Sequence, residues 1–212
     1  MSSFYIIGFN GNMAGRYKAI LDYLGHDYCG EDIGLTMGHP AQSDGIIICT
    51  PTNTHISMIE HFKGYKLPIL CEKPLSKNVG ALTEKLHKWK SEGVNLQMIN
   101  QYEHLPYKPA HGDGTLYDCW RTGDDGIEWD CINVIGLSKS HPVLKKLSPV
   151  WTLTLNGTSY HSKDIEKSYV KMISEWIRHP AENIGYCIET HQKVIQYIET
   201  QKRINSYSSK VN

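Results

Sequence analysis

The chain has 212 residues, with 22 Lys and Arg balanced against 22 Asp and Glu, and it is 40% apolar and 21% charged. That length accommodates one large domain or two small ones, and the zero formal net charge excludes a global field that would collect nucleic acid or an anionic membrane. Three Phe, five Trp and 13 Tyr supply large side chains for a packed core, so the composition is globular and not that of a disordered tail.

The longest apolar runs, such as residues 45–49, are far shorter than the roughly 20 residues a bilayer-spanning helix needs. The chain enters a strand-like segment at Phe4 with no basic region or cleavage site before it, so a cytoplasmic location is expected. The cysteines Cys29, Cys49, Cys71, Cys119, Cys131 and Cys187 are scattered, and their spacing indicates neither a metal site nor a disulfide framework.

In chain order, strands are predicted at residues 4–8, 27–33, 45–50, 67–71 and 94–99. Helices are predicted over about 12–24, near Ile56 and over about 81–89. The runs Tyr5-Ile6-Ile7 and Ile46-Ile47-Ile48 are apolar throughout instead of alternating, as strands covered on both faces are. Strands alternating with helices imply parallel pairing through right-handed crossovers, so this half reads as a doubly wound α/β domain.

After Tyr102 the texture changes. Pro106, Pro109, Gly112-Asp113-Gly114 and Gly123-Asp124-Asp125-Gly126 mark loops, which divides the chain into an α/β domain of residues 1–104 and a small α+β domain of residues 105–212. A helix is expected near Trp129, and a strand over 151–155 that ends at Asn156-Gly157. Two amphipathic helices follow. The first carries Ile165, Tyr169, Met172, Ile173, Trp176 and Ile177 on one face and ends at His179-Pro180. The second carries Ile184, Cys187, Ile188, His191, Val194, Ile195 and Ile198, with a polar tail expected to fray from Asn205.

Chemistry concentrates where predicted strands end. Gly8-Phe9-Asn10-Gly11-Asn12-Met13-Ala14 lies between a buried strand and a helix, where Gly8 permits a tight turn and Gly11 admits phosphate oxygens to the backbone. Ala14 is small enough for close helix packing, and the N–H groups from Asn10 and Asn12 to Ala14 would face a pyrophosphate. The spacing is G-x-x-G-x-x-A instead of G-x-G-x-x-G, so an ordinary strand-to-helix turn competes with this reading. Asp32, with Glu31 as the alternative, ends the next strand. A carboxylate there would bind two ribose hydroxyls and repel a 2′-phosphate, favouring NAD over NADP, against the plainer role of a solvated loop acid. The loop containing Thr50, Pro51, Asn53 and His55 follows the third strand and would line the same crevice, with Asn53 or Thr54 as a compatible helix N-cap.

Leu70-Cys71-Glu72-Lys73-Pro74-Leu75 again follows an apolar strand. The T-P-x-x-x-H pattern from Thr50 to His55 and the E-K-P of Glu72, Lys73 and Pro74, one helix and one strand later, resemble the Gfo/Idh/MocA family. Together with Gly8, Gly11 and Asp32, the resemblance covers the first half. It implies a Rossmann-type NAD-binding domain and an oxidoreductase that moves a hydride between nicotinamide and the hydroxyl or keto carbon of a sugar, sugar acid or nucleotide sugar. It also implies that Lys73 lies near the nicotinamide, its ammonium orienting the reacting oxygen, and that Glu72 belongs to the cofactor site. Pro74 matches a family proline that follows a cis peptide. A surface lysine beside a turn is the structural alternative for Lys73.

The second half departs from the family, whose open sheet is larger. In the D-x-G-x-H-x-x-D pattern, alignment on Asp124 and Gly126 puts Glu128 at the histidine position. Alignment on Asp130 puts Ile127 there. Glu128 or Asp130 would then replace the histidine as proton-transfer group, while Asp124 or Asp130 as a simple helix cap is the alternative. His104 and His111 are further candidates. Two other consequences follow. The chain is either an enzyme on a small sugar-like substrate or a catalytically inactive dinucleotide sensor or partner subunit; a third alternative is a homo-oligomer in which a second subunit completes the site, since the family it resembles often oligomerises through its second-domain sheet. No metal, nucleic-acid or membrane partner is expected.

Overall fold

The computed structural model describes residues 1–34, 39–40, 42–106, 114–117, 126–138, 142–145, 152–155 and 157–208. His111, Asp124, Asp125, Cys119, Trp151 and Asn156 lie outside the described residues. The chain forms two compact units: Met1–Ile99 with Val170–Cys187, and Asn100–Tyr169 with Ile188–Asn212.

The first unit begins with β1 (Ser3–Ile7), α1 (Asn12–Leu24), β2 (Asp27–Glu31) and β3 (Gly45–Ile48). It continues through α2 (Thr52–Phe62), β4 (Ile69–Cys71), α3 (Val79–Ser91) and β5 (Leu96–Met98). All five strands are parallel, in the order β2-β1-β3-β4-β5, so the winding of strands across the sheet switches sides between β1 and β3. That switch point opens a crevice beyond the carboxyl ends of the strands. Ile6, Ile46, Ile47, Ile48, Ile69 and Leu70 are fully buried, which explains why these strands read as unbroken apolar runs. From α1, the buried Ala14, Tyr17, Ile20 and Leu21 recur at helical spacing. The helix ends on Gly25, whose φ of 75° is the left-handed conformation that closes a helix.

The far end of the chain supplies the remaining wall. Helix α6 (Ser162–Arg178) brings Trp176 to 5.5 Å from the Phe4 ring, over Gly45, where a Cβ would stand 2.8 Å from the indole. Beyond α6, Asn183 seals the edge of β5. Its N–H donates to the Leu96 carbonyl at 3.0 Å, its Nδ2 donates to the Met98 carbonyl and its Oδ1 accepts the Met98 N–H, both at 2.8 Å. One asparagine thus satisfies the edge as an added strand would. Between α2 and α3, Glu60 accepts hydrogen bonds from Lys85 at 2.8 Å and from Trp89 Nε1 at 3.1 Å, and pairs with Lys63 at 2.9 Å.

The second unit holds β6 (Gly114–Tyr117), α4 (Ile127–Asp130), α5 (Ile132–Leu137), β7 (Val143–Lys145), β8 (Thr152–Leu155) and β9 (Thr158–His161). Its sheet runs β7-β6-β8-β9, with β6 parallel to β7 and antiparallel to β8, and β8 and β9 antiparallel to each other. Tyr102, Leu105, Cys131, Val134, Leu137, Leu153 and Tyr160 form its core. Within it the buried Asn133 donates to the Gln101 side-chain oxygen at 2.9 Å. Helix α7 (Ile184–Ser208) contributes Lys193, which donates to the Gly136 carbonyl at 2.9 Å.

Several local expectations need correction. The expected loop around Gly114 gives way to β6, because Thr115-Leu116-Tyr117 finds partners on both sides. Helix α7 does not fray at Asn205 but runs through Ser208, with Ser206 Oγ donating to the Arg203 carbonyl. Neither Asn53 nor Thr54 caps α2. Pro51 is its N-cap residue, and the Thr54 hydroxyl bonds the Pro51 carbonyl and the Thr50 hydroxyl from inside the first turn. Asp130 is not a cap either: it ends α4, and Cys131 is the N-cap of α5.

Two stability predictions follow. Asn183→Ala strips both partners from Met98 and should cost about 3 kcal/mol in urea unfolding, the order expected for buried backbone groups left unpaired. The Lys85 and Lys63 ammonium groups hold the Glu60 carboxyl down at about 2. The unfolded carboxyl binds protons more readily, so ionised Glu60 stabilises the fold at neutral pH, and this contribution fades as pH falls from the usual carboxylate range toward about 2. Unfolding midpoints of Glu60→Gln should therefore be lower at pH 7 and converge with those of the unmodified chain near pH 2.

Candidate cofactor crevice

The turn after β1 is built on close approach. Gly8 has φ of 88°, and a Cβ there would stand 2.9 Å from the Cys49 carbonyl oxygen and 3.2 Å from the Thr50 methyl. The Gly8 and Phe9 N–H groups both donate to the Glu31 carbonyl, at 2.9 and 3.2 Å, and Gly11 N–H donates back to Gly8 at 2.9 Å. Gly15 to Gly11, at 3.1 Å, is the first helical bond of α1. The preceding N–H groups of Asn12, Met13 and Ala14 therefore belong to the first turn, which contains no acidic residue and whose N-cap Gly11 has no side chain to bond them. The uncompensated positive end of the helix dipole and the bare backbone at Gly11 fit a pyrophosphate.

The turn is fastened on its outer side. Asp32 accepts hydrogen bonds from the Asn10 N–H at 3.1 Å and from the Asn10 side-chain amide. Of the two acids the sequence left open, Asp32 thus presents its carboxylate at the turn, while Glu31 meets it through its backbone carbonyl. The strand β2 stops at Glu31, short of the expected Ile33, and Asp32 leaves the ladder to make these bonds. Lys18 lies 4.1 Å above the Phe9 ring and donates to the Phe9 carbonyl at 3.0 Å. A Cβ on Gly30 would stand 2.6 Å from that ring, so β2 passes beneath it closely.

From β3, the buried Thr50 and the exposed Pro51 and Asn53 lie at the start of α2. His55 is only 1% exposed, and its ring meets two backbone carbonyls: Nδ1 is 2.8 Å from Pro74 O and Nε2 is 2.7 Å from Thr50 O. Cys49 Sγ bonds the Ile7 carbonyl at 3.2 Å. Burial, and then the charges of Glu72 and Asp32, push its thiol up to about 12. It stays protonated and is no nucleophile.

From β4, Glu72 is 6% exposed and accepts a 2.6 Å bond from the hydroxyl of Tyr17, which is fully buried on α1. Its other oxygen accepts the Lys73 N–H at 3.2 Å. Lys73 is half-buried, and the Lys73–Pro74 peptide is cis. The turn, Asp32, Thr50 and the Glu72-Lys73 pair are thus carried on the ends of β1, β2, β3 and β4. Glu128 and Asp130 belong to the second unit, both half-buried on α4, and His104 lies half-buried in the 3-10 turn Gln101–His104. Burial and then the charge of Glu128 raise the Tyr197 hydroxyl above its ordinary value.

Sequence reasoning missed Tyr17, Lys18 and Asn183. Tyr17 stands three residues after Ala14 on the inward face of α1, a spacing that signals burial but not the bond to Glu72. Among the described residues, no three His, Cys, Asp or Glu side chains converge to hold a metal ion, and no helix is long and apolar enough to cross a membrane.

Known proteins resemble the first half of the chain in sequence and the chain in fold. The family GFO_IDH_MocA, described as an oxidoreductase family with an NAD-binding Rossmann fold, matches residues 3–100. An uncharacterized oxidoreductase of Bacillus subtilis, YrbE, is 34% identical over 85 residues, which span 40% of this chain and 25% of that protein. A myo-inositol dehydrogenase from Corynebacterium glutamicum superposes with a TM-score of 0.71 at 11% identity, covering 94% of this chain and 96% of that one. The WlbA dehydrogenase of Thermus thermophilus, solved with NAD and UDP-GlcNAcA, gives a TM-score of 0.67 at 12% identity, covering 92% and 94%. The parallel sheet, the glycine turn and the match over residues 3–100 make the first half of the chain similar to the NAD-binding Rossmann domain of the Gfo/Idh/MocA oxidoreductase family.

Proposed function

We propose that the chain is an NAD-dependent oxidoreductase acting on the hydroxyl or keto carbon of a small sugar-like molecule: a sugar, an inositol, a sugar acid or a nucleotide sugar. One observation carries this reading. An anion-ready helix start, a carboxylate at the end of β2 and a half-buried lysine beside a buried glutamate share the carboxyl edge of one parallel sheet. The substrate class is supported by the relatives of this fold, which include a myo-inositol dehydrogenase and a dehydrogenase solved with a nucleotide sugar.

Bound NAD would supply the nicotinamide carbon that accepts or delivers the hydride. The N–H groups of Asn12, Met13 and Ala14 would hold its diphosphate beside the bare backbone of Gly11, and Asp32 would accept the ribose hydroxyls in exchange for its bonds to Asn10. The same carboxylate repels a 2′-phosphate, which makes NAD and not NADP the cofactor. Thr50, Pro51 and Asn53 line the wall between them. Lys73 donates from its ammonium to the substrate oxygen and stabilises the negative charge that develops there, while Glu72 holds the Lys73 backbone N–H. Glu128 and Asp130 are the carboxylates of the second unit assigned to proton transfer in place of the family histidine. The absence of that histidine also favours a second reading, a chain that binds the dinucleotide without turning it over.

Energy transfer from tryptophan to reduced nicotinamide tests the cofactor half. Saturable NADH binding is expected, tighter than NADPH, and weakened about tenfold or more by Asp32→Ala, as the loss of charge-assisted hydrogen bonds requires. No binding of either nucleotide would overturn both readings. With a substrate found by screening sugars and nucleotide sugars, Lys73→Met should lower kcat about a hundredfold or more with little change in NADH affinity. Binding without turnover of any of these substrates would select the second reading.

A further inference from the structure

Lys73 sits between two anchored neighbours. On its amino side, the buried Glu72 accepts the Tyr17 hydroxyl at 2.6 Å through one oxygen and the Lys73 N–H at 3.2 Å through the other. On its carboxyl side, the Pro74 carbonyl lies 2.8 Å from His55 Nδ1, and the same ring reaches the Thr50 carbonyl at 2.7 Å through Nε2. Carbonyl oxygens only accept, so the ring bonds Pro74 when Nδ1 carries the proton, Thr50 when Nε2 carries it, and both at once only as an imidazolium. His55 is almost completely buried, so water does not substitute for either carbonyl.

We propose that Tyr17 and His55 are positioning residues for Lys73, a two-sided clamp that ties the Glu72-Lys73-Pro74 segment to α1 through Tyr17 and to α2 through His55. This rests on the role given to Lys73 above, and it moves His55 from lining the cofactor to bracing the lysine. The two bonds of the ring have different duties. The one to Thr50 holds the loop after β3, and the one to Pro74 holds the segment that carries Lys73. Tyr17 couples the lysine to the helix whose first turn faces the diphosphate, so one rigid element sets the position of both. Placement of a reacting group by such a frame matters because small displacements cost large factors in rate.

The duties separate experimentally. An asparagine amide reaches close to the position of Nδ1 and a glutamine amide close to that of Nε2, so His55→Asn keeps the donor to Pro74 while His55→Gln keeps the donor to Thr50. The readout is the rate at which the Lys73 amine is acetylated by acetic anhydride, followed by mass spectrometry against Lys85 in the same digest, with Tm recorded for each variant. Tyr17→Phe and His55→Gln should raise the Lys73 rate about three- to tenfold, the range one net hydrogen bond is worth, and leave Lys85 unchanged. His55→Asn should stay near the unmodified rate. A Lys73 rate unchanged in Tyr17→Phe and His55→Gln overturns the proposal, as does a common shift of both lysines with a lowered Tm, or equal effects of the Asn and Gln variants. Should the His55 variants fail to fold, Tyr17→Phe decides alone. NADH titration of the same proteins separates the two claims: failure of the unmodified chain to bind NADH removes the cofactor reading, whereas binding with an unmoved Lys73 removes only the clamp.

Discussion

Nothing larger than hydrogen fits at Gly8, and the geometry of the crevice grows from that contact. With φ of 88°, the residue brings the end of β1 under the Cys49 carbonyl, where a Cβ would be 2.9 Å from oxygen. Because β3 closes so tightly on the turn, the N–H groups of Gly8 and Phe9 swing to the Glu31 carbonyl on the opposite side and register β2 against the same turn. Helix α1 then starts at a fixed height above three strand ends, and Asp32 is drawn to Asn10. A side chain at Gly8 would require either a strained left-handed residue or a retreat of β3, and either would misplace the helix start and the acid together.

Charge in the crevice is balanced locally. Asp32 and Glu72 together raise the Cys49 thiol beyond what burial alone does, while Lys18 pulls it the other way. The positive side consists of Lys18 above Phe9, the first turn of α1 and Lys73. Lys18 is held by the Phe9 carbonyl and Asp32 by Asn10, so a dinucleotide would meet side chains already oriented beside a helix start without a side-chain cap. Binding there is an exchange of partners, most plainly at Asp32, whose two bonds to Asn10 occupy the oxygens that ribose hydroxyls would need.

What the residues revealed in advance depended on the range of the interaction. The all-aliphatic run Ile46-Ile47-Ile48 announced a central strand because burial on both faces leaves its mark within the strand itself. The strand β6 left no such mark: three residues after a glycine are too few to show alternation, and both partners of β6 are distant in sequence. The helix starts were legible to within a few residues, but not the caps, since Thr54 spends its hydroxyl on Thr50 and Pro51 and leaves α2 without a side-chain cap. In the crevice, strand ends and small residues located the turn. Its bracing stayed hidden, because Tyr17 and Glu72 are 55 residues apart and Asn183 and Met98 are 85 apart.

The fold is shared at 11% identity with a TM-score of 0.71. Most of the first unit asks only for apolar volume at the right period, which many side chains provide. Specific chemistry gathers at a few places, among them those where backbone groups would otherwise be left bare. The edge of β5 is one of them, since parallel strands have no hairpin to close them and the N–H and C=O of Met98 would face outward. The chain solves this by bringing back residues from beyond α6, so Asn183 becomes part of a sheet that otherwise ends at β5. The amino-terminal sheet and the segment after α6 are therefore one folding unit by hydrogen bonding, although the intervening chain forms a second core of its own.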